Sequence, residues 1–290
     1  MGDLLGIGVL IRGISILYVV LSIIGLVMSI YIPTGRRNKA IAFVAVLAAV
    51  SVLPIQHAIK AHELELKRQE RQAFAKEAWG KFKQLCDSEA GEKIYKTFRN
   101  VKSVYIAKPL PPATEKDLSD QYWRGDPYSD ATPHPERSTL IALSFVEKSD
   151  RVASNVIGRG YDFVEMVVTP GRFGAGLRRM FMDGYEYKAV AIEKHESRFG
   201  VSWEDLSTDV HRKYWISKSR LTIWNLSDNS LVAERIGFLI ERGFGSDAGQ
   251  RRAWLSGRGP ESTCPLAHSM SDRWFVFKVL NPPGYPNATN

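Results

Sequence analysis

Two apolar stretches decide the architecture of this chain: ISILYVVLSIIGLVMSIYIPT at residues 14–34 and AIAFVAVLAAVSVLPIQHAI at residues 40–59. Neither stretch contains a charged side chain, and a short basic turn, Gly35-Arg36-Arg37-Asn38-Lys39, separates them. A helix needs about 20 predominantly apolar residues to cross the hydrocarbon core of a bilayer. The pattern therefore predicts a two-helix transmembrane hairpin over residues 1–59, with the lipid bilayer as one partner of the chain.

The basic turn bears on the orientation of this hairpin. Positively charged loops next to membrane spans tend to stay in the cytoplasm, and the turn lies directly against both helix ends. This arrangement favours a multi-pass protein of the bacterial inner (cytoplasmic) membrane whose soluble part faces the periplasm. Counting the more distant basic residues between Lys60 and Lys76 favours the opposite orientation, so the sequence leaves both open.

The charge of the chain is basic but dilute. The formal net charge is +8, and the first 57 residues contribute +3 of it, from four basic side chains and Asp3. The remaining +5 is distributed over more than 200 residues without a dense cluster. A nucleic-acid-binding domain typically concentrates lysine and arginine on one face. No nucleic-acid partner is therefore expected, and a mildly basic surface near a membrane is the simpler interpretation.

The segment after the hairpin has the pattern of a helix that ends on a globular domain. Residues 60–88 begin with a polar part rich in helix formers, which predicts a helical stalk. Its second part carries an apolar stripe at helical spacing, Phe74, Ala78, Phe82 and Leu85. Such a stripe is typical of a helix that packs onto a core. We therefore expect residues 60–88 to be a stalk that packs onto the following domain.

Strand-like patterns dominate the rest of the chain. Residues 89–281 are predicted to form one α+β, largely antiparallel domain, and residues 282–290 a disordered tail. The clearest element is a hairpin of residues 215–226 and 231–240, and no β–α–β alternation is evident. The other predicted strands are residues 101–107, 139–146, 161–169, 185–193 and 274–280.

The two cysteines, Cys86 and Cys264, allow two interpretations. In a reducing compartment, such distant cysteines are usually small buried side chains. On the oxidising side of a membrane, they could form a disulfide across the soluble domain. The choice depends on the orientation of the hairpin, which the sequence leaves open.

Two stretches have the composition of a protein-binding surface. The first lies in a polar, proline-containing region and supplies Tyr122, Trp123, Arg124 and Tyr128; the second supplies Arg251, Arg252 and Trp254. Tyrosine, tryptophan and arginine are the residues that most often anchor protein interfaces. The alternative is that these aromatic side chains cover the core. The second stretch follows a glycine-rich loop from Gly243, which could either wrap an anion or form a glycine-adapted turn.

Catalytic signals are weak throughout the sequence, so no catalytic residue, metal site or cofactor is predicted. Zinc-site histidine spacing and a Gly-x-Ser-x-Gly motif are both absent. His195, Asp209 and His211 are the acid–base candidates if the chain is an enzyme acting on an envelope substrate. A structural subunit of an envelope complex is a third possibility.

Several local stretches of the soluble part resemble a proteobacterial family of membrane-anchored or lipoprotein-like envelope proteins. They are Leu85-Cys86, residues 90–97, Asp126-Pro127-Tyr128, residues 201–208, Trp215-Ile216, Ala233-Glu234-Arg235, Cys264-Pro265 and residues 277–280. Members of this family look like the immunity proteins of secreted antibacterial effectors. The resemblance implies a non-enzymatic, periplasm-facing domain that binds and neutralises such an effector, and it supplies no catalytic residues.

Overall fold

The structure, a computed structural model, describes residues 18–29, 31, 35–109, 113–123, 133–134, 136–146, 160–246, 251–256, 260–265 and 272–283. The chain divides into two compact units, residues 1–74 and residues 75–290. The second unit is an α+β domain built on one mixed, mostly antiparallel sheet, which confirms the predicted fold class of the soluble part.

Two helices that pack against each other form the described part of the first unit. Helix α1 spans Tyr18–Ser29, and helix α2 spans Arg36–Glu89. The Tyr18 hydroxyl donates to the backbone carbonyl of Val50. A Cβ atom on Gly25 would lie 3.3 Å from Cγ1 of Val46, so the absence of a side chain there permits close helix approach.

Helix α2 is long and apolar enough to cross a membrane, whereas α1, as described, is a shorter apolar helix. The first span of the predicted hairpin, residues 14–34, therefore stays a prediction, and residues 1–17 lie outside the described part. Helix α2 continues through Pro54 and the whole predicted stalk. It ends two residues before Gly91, whose φ of +149° is a conformation that side-chain-bearing residues rarely adopt.

The sheet of the second unit has the strand order β1-β8-β7-β6-β2-β3-β4-β5, and β9 also pairs with β8. Strand β2 pairs in parallel with β3 and β6, and the other named pairs are antiparallel. The strands are β1 Gly91–Ile94, β2 Ser103–Lys108, β3 Phe163–Gly171, β4 Gly174–Asp183, β5 Glu186–Ala191, β6 Phe199–Asp205, β7 Ile216–Asn225, β8 Ser230–Ile240 and β9 Thr263–Cys264.

The described residues of this unit also form four short helices: α3 Arg137–Ser144, α4 Asp209–Lys213, α5 Ala253–Ser256 and α6 Asp272–Val279. Short 3-10 turns lie at Asp117–Ser119 and Pro260–Ser262. Helix α3 lies on the connection between the parallel strands β2 and β3. One β–α–β unit is therefore present, although the sequence showed no such alternation.

The prediction of two strands was wrong. Residues 139–146 lie largely in helix α3, and residues 274–280 lie largely in helix α6. Both segments are short and rich in residues that favour strands, so tertiary contacts decide their conformation. In α6, the carboxylate of Asp272 in the first turn accepts hydrogen bonds from Trp203 Nε1 and from Arg235. These contacts hold the start of the helix against strands β6 and β8.

The main core lies on the face of the sheet that α3 and α6 cover. Inward-facing strand residues such as Val164, Met180 and Val201 belong to the same buried cluster as Leu143 of α3 and Phe275 of α6. Burial of large apolar side chains of this kind is the principal favourable term in folding. The predicted hairpin of β7 and β8 is confirmed, and it contributes Leu221, Ile223, Val232 and Ala233 to this core.

Strands β7 and β8 are buried on both faces. Phe238 and Leu239 are adjacent in β8, so their side chains point to opposite faces, and both are fully buried. The predicted stripe on α2 is buried at Ala78, Phe82 and Leu85. The ion pair of Glu89 with Lys218 of β7, at 2.6 Å, joins the end of α2 to the face that carries Phe238.

A disulfide joins Cys86 of α2 to Cys264 of β9, with a Cα–Cα distance of 5.8 Å. This is one of the two alternatives that the sequence leaves open. Cys264 lies opposite Phe238 in the pairing of β8 with β9. The bond therefore connects the end of the long helix covalently to the sheet, across a sequence separation of 178 residues.

Candidate protein-binding surface

Trp254 of α5 lies at the centre of a cluster that joins distant parts of the chain. Its side chain is 0% exposed, and its Nε1 donates to the backbone carbonyl of Asp120 at 2.7 Å. The ring of Trp215 lies 5.5 Å away, and the guanidinium of Arg212 lies over the indole at 5.0 Å. The second predicted stretch thus packs directly beneath the first.

The turn that contains Asp120 is fixed at both ends. The carboxylate of Asp117 accepts from the backbone N–H and the hydroxyl of Thr114. Gln121 Nε2 donates to the carbonyls of Arg212 and Lys213, at 3.0 and 2.9 Å. Those carbonyls belong to the last residues of α4, and the Arg212 carbonyl also accepts from the backbone N–H of Trp215 at 2.9 Å. The turn is therefore held by α4 on one side and by Trp254 on the other.

The N-terminus of α4 carries a complete capping box. The backbone N–H of His211 donates to Oγ1 of Thr208, and the backbone N–H of Thr208 donates to Nδ1 of His211 at 3.1 Å. A helix of a single turn depends strongly on such caps, because it has few internal hydrogen bonds. Burial and the neighbouring Lys218 lower the pKa of His211.

The glycine-rich loop after β8 wraps a carboxylate of the protein itself. Glu241 is fully buried, and its oxygens accept from the backbone N–H groups of Gly243 and Gly245, each at 2.9 Å. Arg251 forms an ion pair with the same carboxylate. A fully buried charge needs partners of this kind, since an unpaired one would be costly. The loop thus has the anion-wrapping chemistry considered from the sequence, with an internal side chain as the anion.

Three apolar side chains stay exposed on the elements joined by these contacts. Tyr122 is 48% exposed, Val210 of α4 is 58% exposed and Leu255 of α5 is 37% exposed. Arg252, which lies close to Leu255 in sequence, is also exposed and forms an ion pair with Glu115 at 3.2 Å. We call the set of Tyr122, Val210, Leu255 and Arg252 the Tyr122 surface.

The structure separates the predicted partner-binding residues into three groups. Tyr122 and Arg252 are exposed, and Trp123 is half-buried. Trp254 is a correction, because its side chain is enclosed beneath the surface. Arg251 is half-buried and forms an ion pair with Glu241, so its partner-binding role stays a prediction. Arg124 and Tyr128 lie outside the described residues. Val210 and Leu255 were missed, since nothing in their local sequence distinguishes exposed from buried apolar residues.

The acid–base candidates do not form one site. His195 stacks on Tyr105 of β2, with ring centroids 4.5 Å apart. His211 caps its own helix and meets the ring of Phe238 edge-on at 6.0 Å. Asp209 lies exposed in the first turn of α4. Among the described residues, no group of His, Cys, Asp and Glu side chains is arranged to hold a metal ion.

Sequence reasoning also missed a buried carboxylate on the second face of β3. Glu165 is 0% exposed and accepts from Ser197 Oγ at 2.6 Å, from the backbone N–H groups of Ser197 and Glu196, and from Arg179 at 2.8 Å. Burial raises the pKa of Glu165, but the hydrogen bonds from Ser197 and Arg179 outweigh it and lower the pKa. A carboxylate saturated in this way fixes the segment before β6.

No protein-family model, no curated protein and no solved structure matches this chain.

Proposed function

We propose that this chain is a membrane-anchored protein whose second unit binds another protein through the Tyr122 surface. The observation that carries the proposal is the buried Trp254 cluster, which brings two sequence-distant stretches together and leaves apolar side chains exposed above it. Interface hot spots typically combine aromatic and arginine side chains on a rigid support. Tyr122 and Arg252 match that description, since the turn and α5 are both held by hydrogen bonds and packing.

The compartment is the second part of the proposal. We infer an inner-membrane protein with two spans, a cytoplasmic turn and a soluble unit that faces the periplasm. The disulfide between Cys86 and Cys264 supports this orientation, because disulfides persist in oxidising compartments and are rare in the cytosol. The basic residues Arg36, Arg37 and Lys39, which the structure places in the first turn of α2, support it independently through their preference for the cytoplasmic side.

The class of partner is proposed from the family resemblance. A domain of this kind would bind a secreted antibacterial effector and neutralise it at the membrane. Burial of Tyr122, Val210 and Leu255 against a partner would remove apolar surface from water, at about 25 cal/mol per Å². Neutralisation by binding needs no catalytic group on this chain.

Replacement of the exposed apolar residues by serine should weaken partner binding without unfolding the protein. We expect the triple variant Tyr122→Ser, Val210→Ser, Leu255→Ser to lose at least about tenfold in affinity, because hot-spot truncations cost upward of about 1–2 kcal/mol. The measurement is a pull-down with the full chain from detergent-solubilised membranes, followed by titration of the recovered protein. The matched control is Tyr185→Ser, which alters a tyrosine that is 95% exposed on the β4–β5 turn. Equal recovery of the same protein by the triple variant would place the binding site elsewhere.

The orientation has its own test, which uses the two cysteines. In intact cells, a membrane-impermeant maleimide should label Cys86 and Cys264 only after treatment with a membrane-impermeant reductant, because the disulfide blocks both thiols. A thiol on a known cytoplasmic protein provides the control for cell integrity. Labelling that needs cell lysis, with or without reductant, would contradict the outward orientation.

A further inference from the structure

We propose that protonation of His211 opens helix α4 and releases the Gln121–Tyr122 turn, so that acid weakens the Tyr122 surface. This inference rests on the proposed function for its biological meaning, while its structural step involves the chain alone. The starting point is the capping box of α4, in which an imidazole nitrogen of His211 accepts one of the two hydrogen bonds. A backbone N–H can only donate, so the Nδ1 that accepts from Thr208 must be the unprotonated nitrogen of a neutral ring. Protonation of Nδ1 abolishes that hydrogen bond.

The groups around His211 disfavour the charged ring. Lys218 of β7, Lys81 of α2 and Arg212 of α4 surround it with positive charge, and Glu89 of α2 is the opposing carboxylate. Glu89 is already engaged by Lys218 at 2.6 Å, and the ring of Phe238 of β8 adds an apolar neighbour. A cation formed at this position therefore gains little compensation and repels the adjacent cations.

Loss of the cap reaches the Tyr122 surface through α4 itself. The helix spans only Asp209–Lys213, so the loss of one of its two capping-box hydrogen bonds, together with a new positive charge in its N-terminal turn, acts on its whole length. Its last carbonyls accept the hydrogen bonds of Gln121, and its first turn carries Val210. Fraying of α4 therefore displaces Val210 and removes the support of the turn that presents Tyr122.

The direction of the pH dependence follows from linkage. The folded protein binds fewer protons at His211 than the unfolded chain near and below the ordinary imidazole pKa of about 6.5. The stabilisation by the cap is thus complete above that pH and is lost as the pH falls below it.

Hydrogen exchange of the full chain in detergent tests the switch without any partner. We compare about pH 5.5 with about pH 7.5, on either side of the ordinary imidazole pKa, after correction for intrinsic exchange. Amides of residues 206–215 and 114–123 should lose about two- to tenfold in protection at the lower pH, because one group with an ordinary pKa of about 6.5 can shift the opening equilibrium by at most about tenfold over this interval. His211→Asn keeps an acceptor but cannot ionise, so its protection should not depend on pH. His195→Asn is the matched control and should behave as the wild type.

The possible outcomes separate the switch from the proposed function. Equal protection of the wild type at both pH values would overturn the switch. A His211→Asn variant whose protection depends on pH as strongly as that of the wild type would overturn it as well. A wild type that releases the captured protein at the lower pH, together with a His211→Asn variant that retains it, would support the switch and the binding surface together. A pH-dependent exchange with no protein captured at either pH would support the switch and contradict the proposed function.

Discussion

Reduction of the Cys86–Cys264 disulfide is expected to lower the free energy of unfolding of the second unit by about 5 kcal/mol. The bond closes a loop with a sequence separation of 178 residues, and the chain-entropy model assigns about this value to a loop of that length. Most of the effect arises in the unfolded chain, which gains conformational freedom when the cross-link is removed. The expected loss is a large fraction of the stability of a typical domain, which is about 5–15 kcal/mol.

Urea unfolding of the full chain in detergent, followed by tryptophan fluorescence, measures this loss. The Cys86→Ser, Cys264→Ser double variant should unfold at a lower urea concentration, and reductant should shift the wild type to the same midpoint. Reductant added to the double variant is the control, since it should have no effect. Coincident midpoints for the oxidised wild type and the double variant would contradict the prediction.

Contacts around the disulfide indicate how the folded state responds to its loss. The stripe of Ala78, Phe82 and Leu85 is buried, and Glu77 accepts a hydrogen bond from the Tyr214 hydroxyl. These interactions do not require the covalent bond, so the reduced protein should keep the same fold at low urea. A partner-binding assay under reducing conditions should therefore still detect the Tyr122 surface.

The sequence predicted the elements whose pattern is local. The hairpin of β7 and β8 alternates apolar and polar residues around a polar turn, and the stripe on α2 repeats at helical spacing; both are found in the structure. Helices α3 and α6 were predicted as strands because their residues favour strands and only their contacts with the sheet decide otherwise. The start of α6, for instance, depends on Arg235, which lies 37 residues earlier in the chain.

The candidate site was predictable in its parts and not in its assembly. Residues around Tyr122 and around Trp254 were each selected by composition, but their contact spans 134 residues of sequence. The same composition is typical of exposed anchors and of buried supports, so only the structure assigns Trp254 to the support. The role of Glu241 as the wrapped anion follows the same logic, because a lone glutamate at a strand end gives no signal of burial.

Glu165 is the other position where a large loss of stability is expected. Replacement by leucine removes the acceptor for Ser197, Glu196 and Arg179 at a fully buried position. Breaking a buried charge pair by removing one partner costs up to about 3–5 kcal/mol. Here the buried Ser197 would lose this acceptor, whereas Arg179 would keep its ion pair with Glu196 at 2.8 Å. The hydrogen bonds that lower the pKa of Glu165 predict an acid dependence as well: the stabilisation is present above its ordinary pKa of about 4.5 and is lost as the pH falls below that value.

Glu204 provides the matched comparison for Glu165. It also pairs with an arginine on the neighbouring strand, Arg220, but both side chains of that pair are 37% exposed. Glu204→Leu should therefore cost less than about 1 kcal/mol, the usual value of an exposed ion pair. Urea unfolding of both variants near neutral pH, and of the wild type at decreasing pH, measures the difference. Equal costs for the two variants would show that Glu165 contributes no more than a surface ion pair, whereas a large loss confined to Glu165→Leu would establish it as the residue that holds the segment before β6 on the sheet.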